Sequence, residues 1–288
     1  MVSSIQSAVE KEPEQIKPPR PFLKWAGGKT RLLAELLERV PAQFNRYHEP
    51  MLGGGALFFA LSSRIELAFL CDVSEELVNC FTVVRNKLPE LTSDLERHVY
   101  EQEYYYNIRN VDRDATLASW SDVQRASRLI YLNKTCFNGL YRVNSRGEFN
   151  VPFGKYSNPK ILDAENLENC SAVLNKAEVK CCSFEQVSKK AEKGDFVYFD
   201  PPYDPLSDTA HFTAYSKTGF DNAMQLKLRD ICQQLDRKGV RFMLSNSYTT
   251  LSLDLYKEFR LETVEAPRAI NSKASKRGKI KEILVRNY

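Results

Sequence analysis

Apolar residues recur along this chain with two periods that trade places several times. Between 29 and 40, Leu32, Leu33, Leu36 and Leu37 repeat at helical spacing and Pro41 stops the run, which predicts a helix over 29–40. A short strand is expected to lead into His48-Glu49-Pro50-Met51-Leu52-Gly53-Gly54-Gly55, with a buried helix over 56–61 behind it. Residues 66–71 read as a second strand ended by Asp72, and Ser74 as the N-cap of the next helix. From about 88 to 133 the pattern changes to polar helices rich in Tyr and Arg, followed by a stretch without period. Alternation resumes with a strand at 196–199, a helix at 222–235 and a strand at 240–244, and a last hairpin pairs 259–266 with 280–285. Strands alternating with helices predict an α/β fold with a mostly parallel sheet, whose ligands bind at the carboxyl ends of the strands. The helical stretch, 88–169, reads as an insertion between two parts of one α/β domain, 20–87 and 170–288. Residues 1–19 are rich in Pro and Glu without period and read as a disordered extension.

Composition narrows this picture only slightly. A chain of 288 residues can bury a substantial core. No apolar run reaches membrane-span length and the first residues are not a signal peptide, so the expected place is the cytoplasm, with no membrane partner. The seven cysteines, at 71, 80, 136, 170, 181, 182 and 232, form no Cys-x-x-Cys pair, and there are only three histidines; they read as reduced thiols, with no metal site. The formal charge of +4 identifies no partner, but its distribution is uneven. Lys134, Arg142, Arg146, Lys155 and Lys160 meet a single acid, Glu148, between 134 and 160, and Lys273, Lys276, Arg277, Lys279 and Lys281 crowd the tail.

Four segments carry candidate chemistry. Asp200-Pro201-Pro202-Tyr203 follows the apolar strand 195–199 directly. Two prolines end the strand and leave the carbonyls of Asp200 and Pro201 to accept from elsewhere; a carboxylate, a free carbonyl and an aromatic face suit a flat heterocycle bearing an amino group. The plain alternative is a strand-ending turn. Glu49-Pro50-Met51-Leu52-Gly53-Gly54-Gly55 is a strand end, a glycine turn and a helix start, where a cofactor can approach the backbone, and Asp72 ends the next strand, placed to bind ribose hydroxyls. Lys24-Trp25-Ala26-Gly27-Gly28-Lys29-Thr30 invites a phosphate-loop reading, but Leu23 stands where that loop needs glycine; it reads instead as a second glycine-lined wall, or as a helix-entry turn with Trp25 in the core. Asn133 to Tyr156 mixes arginines, amides and aromatics without period, a mixture that suits groove readout of DNA and equally a surface loop.

Together these segments resemble the Dam-type DNA adenine N6-methyltransferases, the D12 class that methylates adenine in 5′-GATC. The resemblance runs in one order through 22–29, 49–55, 133–156 and Asp200 to Tyr203, then Pro205-Leu206-Ser207 and Phe212 to Tyr215. It implies S-adenosyl-L-methionine as cofactor, a mixed seven-stranded methyltransferase sheet with helices on both faces, and an inserted helical domain that reads double-stranded DNA. By motif position it implies that Trp25, Ala26, Gly27, Gly28, Lys29, Glu49, Pro50, Met51, Gly53, Gly55, Asp72 and Asp200 hold the cofactor, and that Asp200, Pro201, Pro202 and Tyr203 are catalytic. Lys24 would contact the first guanine, Leu140 and Pro152 the thymine methyl, and Arg142 the guanine paired with the final cytosine. Phe137 would fill the stack beside the flipped adenine, with Asn138 alongside and Tyr156 near the first base pair. Two positions depart from the family: Met51 stands where Phe is usual and Phe137 where Tyr is commoner.

The chemistry follows from the residue types. The N6 lone pair is delocalised into the ring, so acceptors on both amino hydrogens, Asp200 and the Pro201 carbonyl, would favour a more nucleophilic nitrogen. Tyr203 would stack on the base, and extrusion of the base costs a few kcal/mol that Phe137 would partly offset by filling the gap. Rival readings are an N6-adenine methylase with another target, a cytosine N4 methylase, an inactive DNA-binding regulator, and an RNA enzyme. No metal is called for, and a monomer or weak dimer is expected.

Overall fold

The computed structural model describes residues 18–114, 116–202, 220–267 and 279–288. Its centre is a sheet of β1 (Tyr47–Glu49), β2 (Ala68–Asp72), β3 (Ala177–Cys181), β4 (Phe196–Phe199), β5 (Arg241–Ser247), β6 (Arg260–Pro267) and β7 (Lys279–Arg286). The order among the described residues is β3-β2-β1-β4-β5-β7-β6. The first five strands run parallel, and β7 is antiparallel to both β5 and β6. The expected seven-stranded, mixed, mostly parallel α/β architecture is therefore what the chain adopts.

Side-chain alternation on the central strands feeds two cores. On β4, Phe196 and Tyr198 face one side and Val197 and Phe199 the other, and all four are buried. The same split continues on β5, where Met243 joins the first core and Phe242 and Leu244 the second, and on β7 with Leu284 against Ile283 and Val285. A strand covered on both faces reads as an unbroken apolar run, which is why β4 was visible in the sequence. Each such side chain contributes about 1.5–3 kcal/mol of burial. The helices Leu33–Arg39, Ala56–Ala60 and Glu75–Asn86 cover the first face through Leu36, Phe58 and Phe81. The helices Asn222–Arg237 and Thr250–Leu255 cover the second through Leu228, Ile231, Leu235 and Leu255.

Local signals behaved as their chemistry dictates. Ser74 Oγ accepts from the Leu77 amide and caps the helix it was expected to open. Ser121 and Gln124 close a reciprocal capping box at the head of the helix Asp122–Thr135. The helix expected over 29–40 is broken instead: a 3-10 turn, Lys29–Arg31, precedes the α-helix Leu33–Arg39, because Leu32 sits at ψ 0° between them. β3 was not foreseen, since Ala177–Cys181 is a short edge strand that buries Ala177 and leaves Lys180 and Cys181 exposed.

Helices Leu88–Leu95, Gln102–Asn110 and Asp122–Thr135 follow β2 and the helix behind it. Leu91, Leu95, Ala126, Leu129 and Ile130 belong to the same core as Leu77 and Phe81, whereas Tyr105, Tyr131, Leu132, Cys136, Phe149 and Val151 form a cluster of their own. That second cluster carries the irregular segment after Thr135, held by isolated bridges between Cys136 and Phe153 and between Val143 and Phe149.

The expectation of reduced thiols is overturned at one pair. Cys71 and Cys182 are joined in a disulfide across 111 residues, because parallel pairing of β2 with β3 brings their Cα atoms to 5.9 Å. Cys80, Cys136, Cys170 and Cys232 are free and buried, and Cys181 is free and exposed. Among the described residues no helix is long and apolar enough to cross a membrane, and no group of three or more side chains could hold a metal ion. Residues 1–17 and 268–278 lie outside the described residues, and with them nearly all of the predicted N-terminal extension and most of the basic tail loop.

At the amino end of β4 a buried carboxylate ties two strands together. Asp195 accepts from the Arg46 amide at 3.2 Å and from Arg46 Nε at 3.0 and 3.1 Å, and its Oδ2 lies 2.9 Å from His48 Nε2. Burial alone would raise its pKa, but the hydrogen bonds from His48 and Arg46 outweigh that and hold it at about 2. A depressed carboxylate stabilises the fold above the ordinary carboxylate range and loses that contribution as pH falls towards 2. Asp195→Asn is expected to lower stability at pH 7 by about 1–3 kcal/mol and to flatten the loss between roughly pH 4 and 2, read by denaturant melts across that range. Equal pH dependence in variant and parent would refute this role.

Candidate active site

A cavity of about 600 Å³ opens at the carboxyl ends of β1 and β4, within the usual range for a small-molecule site. These two strands are neighbours in the sheet although distant in sequence, which makes this the place where the strand order reverses. The turn Leu52–Gly55 forms one wall and residues 23–32 the other.

Backbone geometry explains the glycines that matter. Gly55 sits at φ +66° as it turns β1 into the helix Ala56–Ala60. Gly53, at φ +49°, lies so close beneath Trp25 that a Cβ there would stand 3.0 Å from its Cδ1. Asp72 holds this turn from the end of β2: its Oδ2 accepts from the Gly53 amide and its Oδ1 from the Ser74 amide, each at 3.0 Å. Burial raises its pKa, and those amides oppose the rise.

Two more carboxyls meet inside. Glu49, at the end of β1, is 2 % exposed and receives the Tyr47 hydroxyl at 2.8 Å. Its pKa is raised to about 8, chiefly by burial, with Tyr47 pulling down and the Asp200 charge pushing up. Asp200, at the end of β4, pairs through Oδ1 with Lys29 Nζ at 2.6 Å and accepts from Ser245 Oγ at 3.1 Å. Burial raises its pKa, while Lys29 and Ser245 act against it. Lys29 Nζ also donates to the Gly27 carbonyl at 2.8 Å, so the ammonium is fixed between its own loop and the strand end.

Of the residues expected to hold a cofactor, Trp25, Ala26, Gly27, Gly28, Lys29, Glu49, Gly53, Gly55 and Asp200 line the cavity. Asp72 stands behind the glycine turn, Pro50 is buried, and Met51 packs into the second core, so these three support the wall from outside. Pro201 is buried and Pro202 exposed; Tyr203 lies outside the described residues.

The segment expected to read DNA borders the same cavity. Lys24, Asn138 and Leu140 line it. Phe137 is half exposed at 50 %, and its amide donates to the Pro152 carbonyl at 2.9 Å, which sets these two side by side. Arg142 is exposed, with Nε held 2.7 Å from Asn150 Oδ1. Tyr156 donates to the Cys136 carbonyl at 2.9 Å, and Lys24 Nζ lies 5.9 Å from its ring.

Three residues at this site were not singled out in the sequence. Asn133, 2 % exposed, accepts from the Lys24 amide and donates to the Lys24 and Gly139 carbonyls at 2.8, 2.8 and 3.1 Å. It clasps the cavity wall to the segment 133–156, a contact reinforced by Trp25 stacked on Tyr141 at 4.6 Å. Tyr198 and Ser245 are the others, behind Asp200. A signal for Ser245 was present: Ser245-Asn246-Ser247 is a polar run that closes a buried strand, where polar groups need partners.

A sheet of this order, with an antiparallel β7 inserted beside β6 and a cavity at the β1–β4 switch, is the α/β fold of a methyltransferase. The family model of the D12 class N6 adenine-specific DNA methyltransferases matches residues 25–270, and the chain belongs to that family, enzymes that methylate adenine in DNA. Among its relatives, the type II methyltransferase M1.LlaDCHI of Lactococcus lactis subsp. cremoris is 47% identical over 273 residues, covering 93% of this chain and 95% of its own. The type II methyltransferase M.MjaIII of Methanocaldococcus jannaschii is 41% identical over 287 residues, with 93% and 99% covered. The DNA adenine methylase of Haemophilus influenzae is 34% identical over 271 residues, with 92% of each chain covered.

Glu49 generates a stability prediction of its own. A carboxyl whose pKa is raised on folding stabilises the folded state at low pH and loses that contribution as pH rises through its folded value. Ligand-free parent protein is therefore expected to lose stability between roughly pH 4.5 and 8, and Glu49→Gln to remove that slope and gain on the order of 1–2 kcal/mol at pH 8. Thermal melts of both proteins across that range decide it; parallel curves would refute the protonated state of Glu49.

Proposed function

We propose that this enzyme transfers the methyl group of S-adenosyl-L-methionine to N6 of an adenine extruded from double-stranded DNA, within 5′-GATC. The observation that carries this reading is that one cavity is lined by Asp200, by the glycine turn after β1 and by Lys24, Asn138 and Leu140 from the DNA-reading side. A donor site and a target-reading rim thus converge on one carboxylate.

The residues fit the cofactor. The cavity volume admits a nucleoside with an amino-acid chain, Trp25 supplies an aromatic wall beside Gly53, and Glu49 is a buried acid that a cationic ligand would ionise. S-adenosyl-L-methionine, when bound, supplies an electrophilic methyl group. Everything else falls to the chain. Asp200 and the Pro201 carbonyl accept the N6 hydrogens, drawing the lone pair out of the ring, and Tyr203 holds the base in line. Phe137, half exposed beside the cavity rim, fills the stack vacated by the adenine. In this reading residues 88–169 select the target, while 20–87 and 170–288 hold the cofactor and perform the transfer. Arg142, with Nε and Nη2 given to Asn150, keeps Nη1 for a guanine edge, and Leu140 and Pro152 offer apolar contact to thymine.

Tritium transfer from labelled cofactor onto a GATC duplex and duplexes altered at each position tests the target. GATC is expected to be labelled and each altered site to lose roughly ten- to hundredfold, with Arg142→Ala relaxing the choice at its own base pair by a similar factor. Label on another sequence with GATC blank would replace the target, and N4-methylcytosine in the digested product would replace the base. Asp200→Ala is expected to cut transfer by about a thousandfold while DNA binding persists. Full activity in that variant would remove Asp200 from the chemistry.

A further inference from the structure

We infer that Ser245 and Tyr198 form a one-way hydroxyl chain that positions Asp200, committing its Oδ1 and turning Oδ2 to the substrate amine. This rests on the reading of Asp200 as acceptor of an N6 hydrogen.

The direction of the chain follows from counting protons. An ionised carboxylate only accepts, so the 3.1 Å contact between Ser245 Oγ and Asp200 Oδ1 uses the single hydroxyl hydrogen of Ser245. The second contact of Ser245 Oγ, 3.1 Å from the Tyr198 hydroxyl, must then be one in which Ser245 accepts and Tyr198 donates. Both side chains are buried, at 0 and 1 % exposure, so water does not compete for either hydrogen.

Sheet register builds this arrangement. Tyr198 pairs with Met243 across β4 and β5, and both face the first core. Asp200 and Ser245 are each two residues further on, so the parallel pairing and the period of two bring them to the same face at the strand ends. The chain therefore approaches Asp200 from below, through the sheet. Lys29 approaches from the opposite wall and meets the same oxygen, Oδ1. Among the described residues both contacts fall on that one atom, Oδ1, of a residue that lines the cavity.

Among the described residues several charged and titratable groups share the cavity with Asp200, including Arg20, Lys24 and Arg31 on its wall. Lys29 comes from the glycine-lined wall, Tyr47 and Glu49 from β1, Tyr198 from β4, and Glu282, which lines the same cavity, from β7. Lys29 is the counter-charge, and Tyr198 stays protonated because burial and the Asp200 charge hold its pKa well above the usual phenol value. A donor removed from Oδ1 makes Asp200 easier to protonate, and a protonated Asp200 cannot accept from the amine.

The test is single-turnover formation of N6-methyladenine in plasmid DNA, followed from pH 5.5 to 9 for the parent enzyme, Ser245→Ala, Tyr198→Phe, the double variant and Asp200→Ala. Ser245→Ala is expected to slow transfer about three- to tenfold at neutral pH and to move the acid limb of the profile upward by roughly half to one pH unit, the rate recovering towards pH 9. Tyr198→Phe should show a smaller shift of the same sign, and the double variant should match Ser245→Ala alone, because the phenol acts only through the serine. Cofactor and DNA affinities should stay within about twofold of the parent. An unmoved acid limb in both single variants, or losses that multiply in the double variant, would overturn the chain. If Ser245→Ala does not fold, Tyr198→Phe, which removes one oxygen and keeps the ring, decides by its acid limb alone. Retained activity in Asp200→Ala would overturn the underlying reading instead, whatever the hydroxyl variants do.

Discussion

A carboxylate at the end of a strand buried on both faces can remain charged only if the fold supplies a counter-charge and donors. Asp200 is in that position at the end of β4, and much of the site answers it. Lys29 brings the counter-charge from a loop 171 residues earlier in the chain, and Ser245 brings a donor from the neighbouring strand. The glycine-lined wall is thereby tied to the sheet by the same contact that opposes the rise in the Asp200 pKa. Glu49, on the neighbouring strand β1, is pushed to about 8, chiefly by burial, whereas at Asp200 Lys29 and Ser245 act against the same upward push. The two acids differ in the partners set around them, a phenol at Glu49 and an ammonium with a hydroxyl at Asp200.

The second constraint is mechanical. The segment 133–156 and the glycine-lined wall belong to different stretches of chain, and Asn133 joins them with two hydrogen bonds to Lys24 and holds its own segment with a third to Gly139. Close approach makes the junction rigid: a Cβ on Gly139 would stand 2.5 Å from Lys24 Cδ, and one on Gly154 would stand 2.8 Å from the Thr135 and Cys136 carbonyls. Asn138, at φ 57°, takes the left-handed turn between these contacts, a conformation asparagine tolerates better than most residues.

β4, the hairpin of β6 and β7, the Ser74 cap and the glycine turn were all legible from spacing, because each depends on neighbours within a few residues. The family resemblance extended this to a seven-stranded sheet and to a list of site residues, most of which do border one cavity. The polar edge strand β3, the break at Leu32 and the Cys71–Cys182 disulfide were not legible. β3 and the disulfide are settled by which strand lies beside which, and the break by one backbone angle at Leu32; periodicity is blind to both. Lys29 illustrates the limit well: its place in a cofactor wall could be inferred from its motif, but its ion pair with Asp200 could not.

By itself, then, the sequence determined the alternation of elements, the chemistry available at the strand ends and the family to which the pattern belongs, since these are properties of local order and residue type. Only the tertiary structure decided which oxygen of Asp200 is committed, which acid is pushed to about 8, and which asparagine holds the segment 133–156 to the glycine-lined wall. Those outcomes depend on distances of about three ångströms between residues up to 171 positions apart. Strand register and burial set such distances, and neither is written in any single stretch of chain.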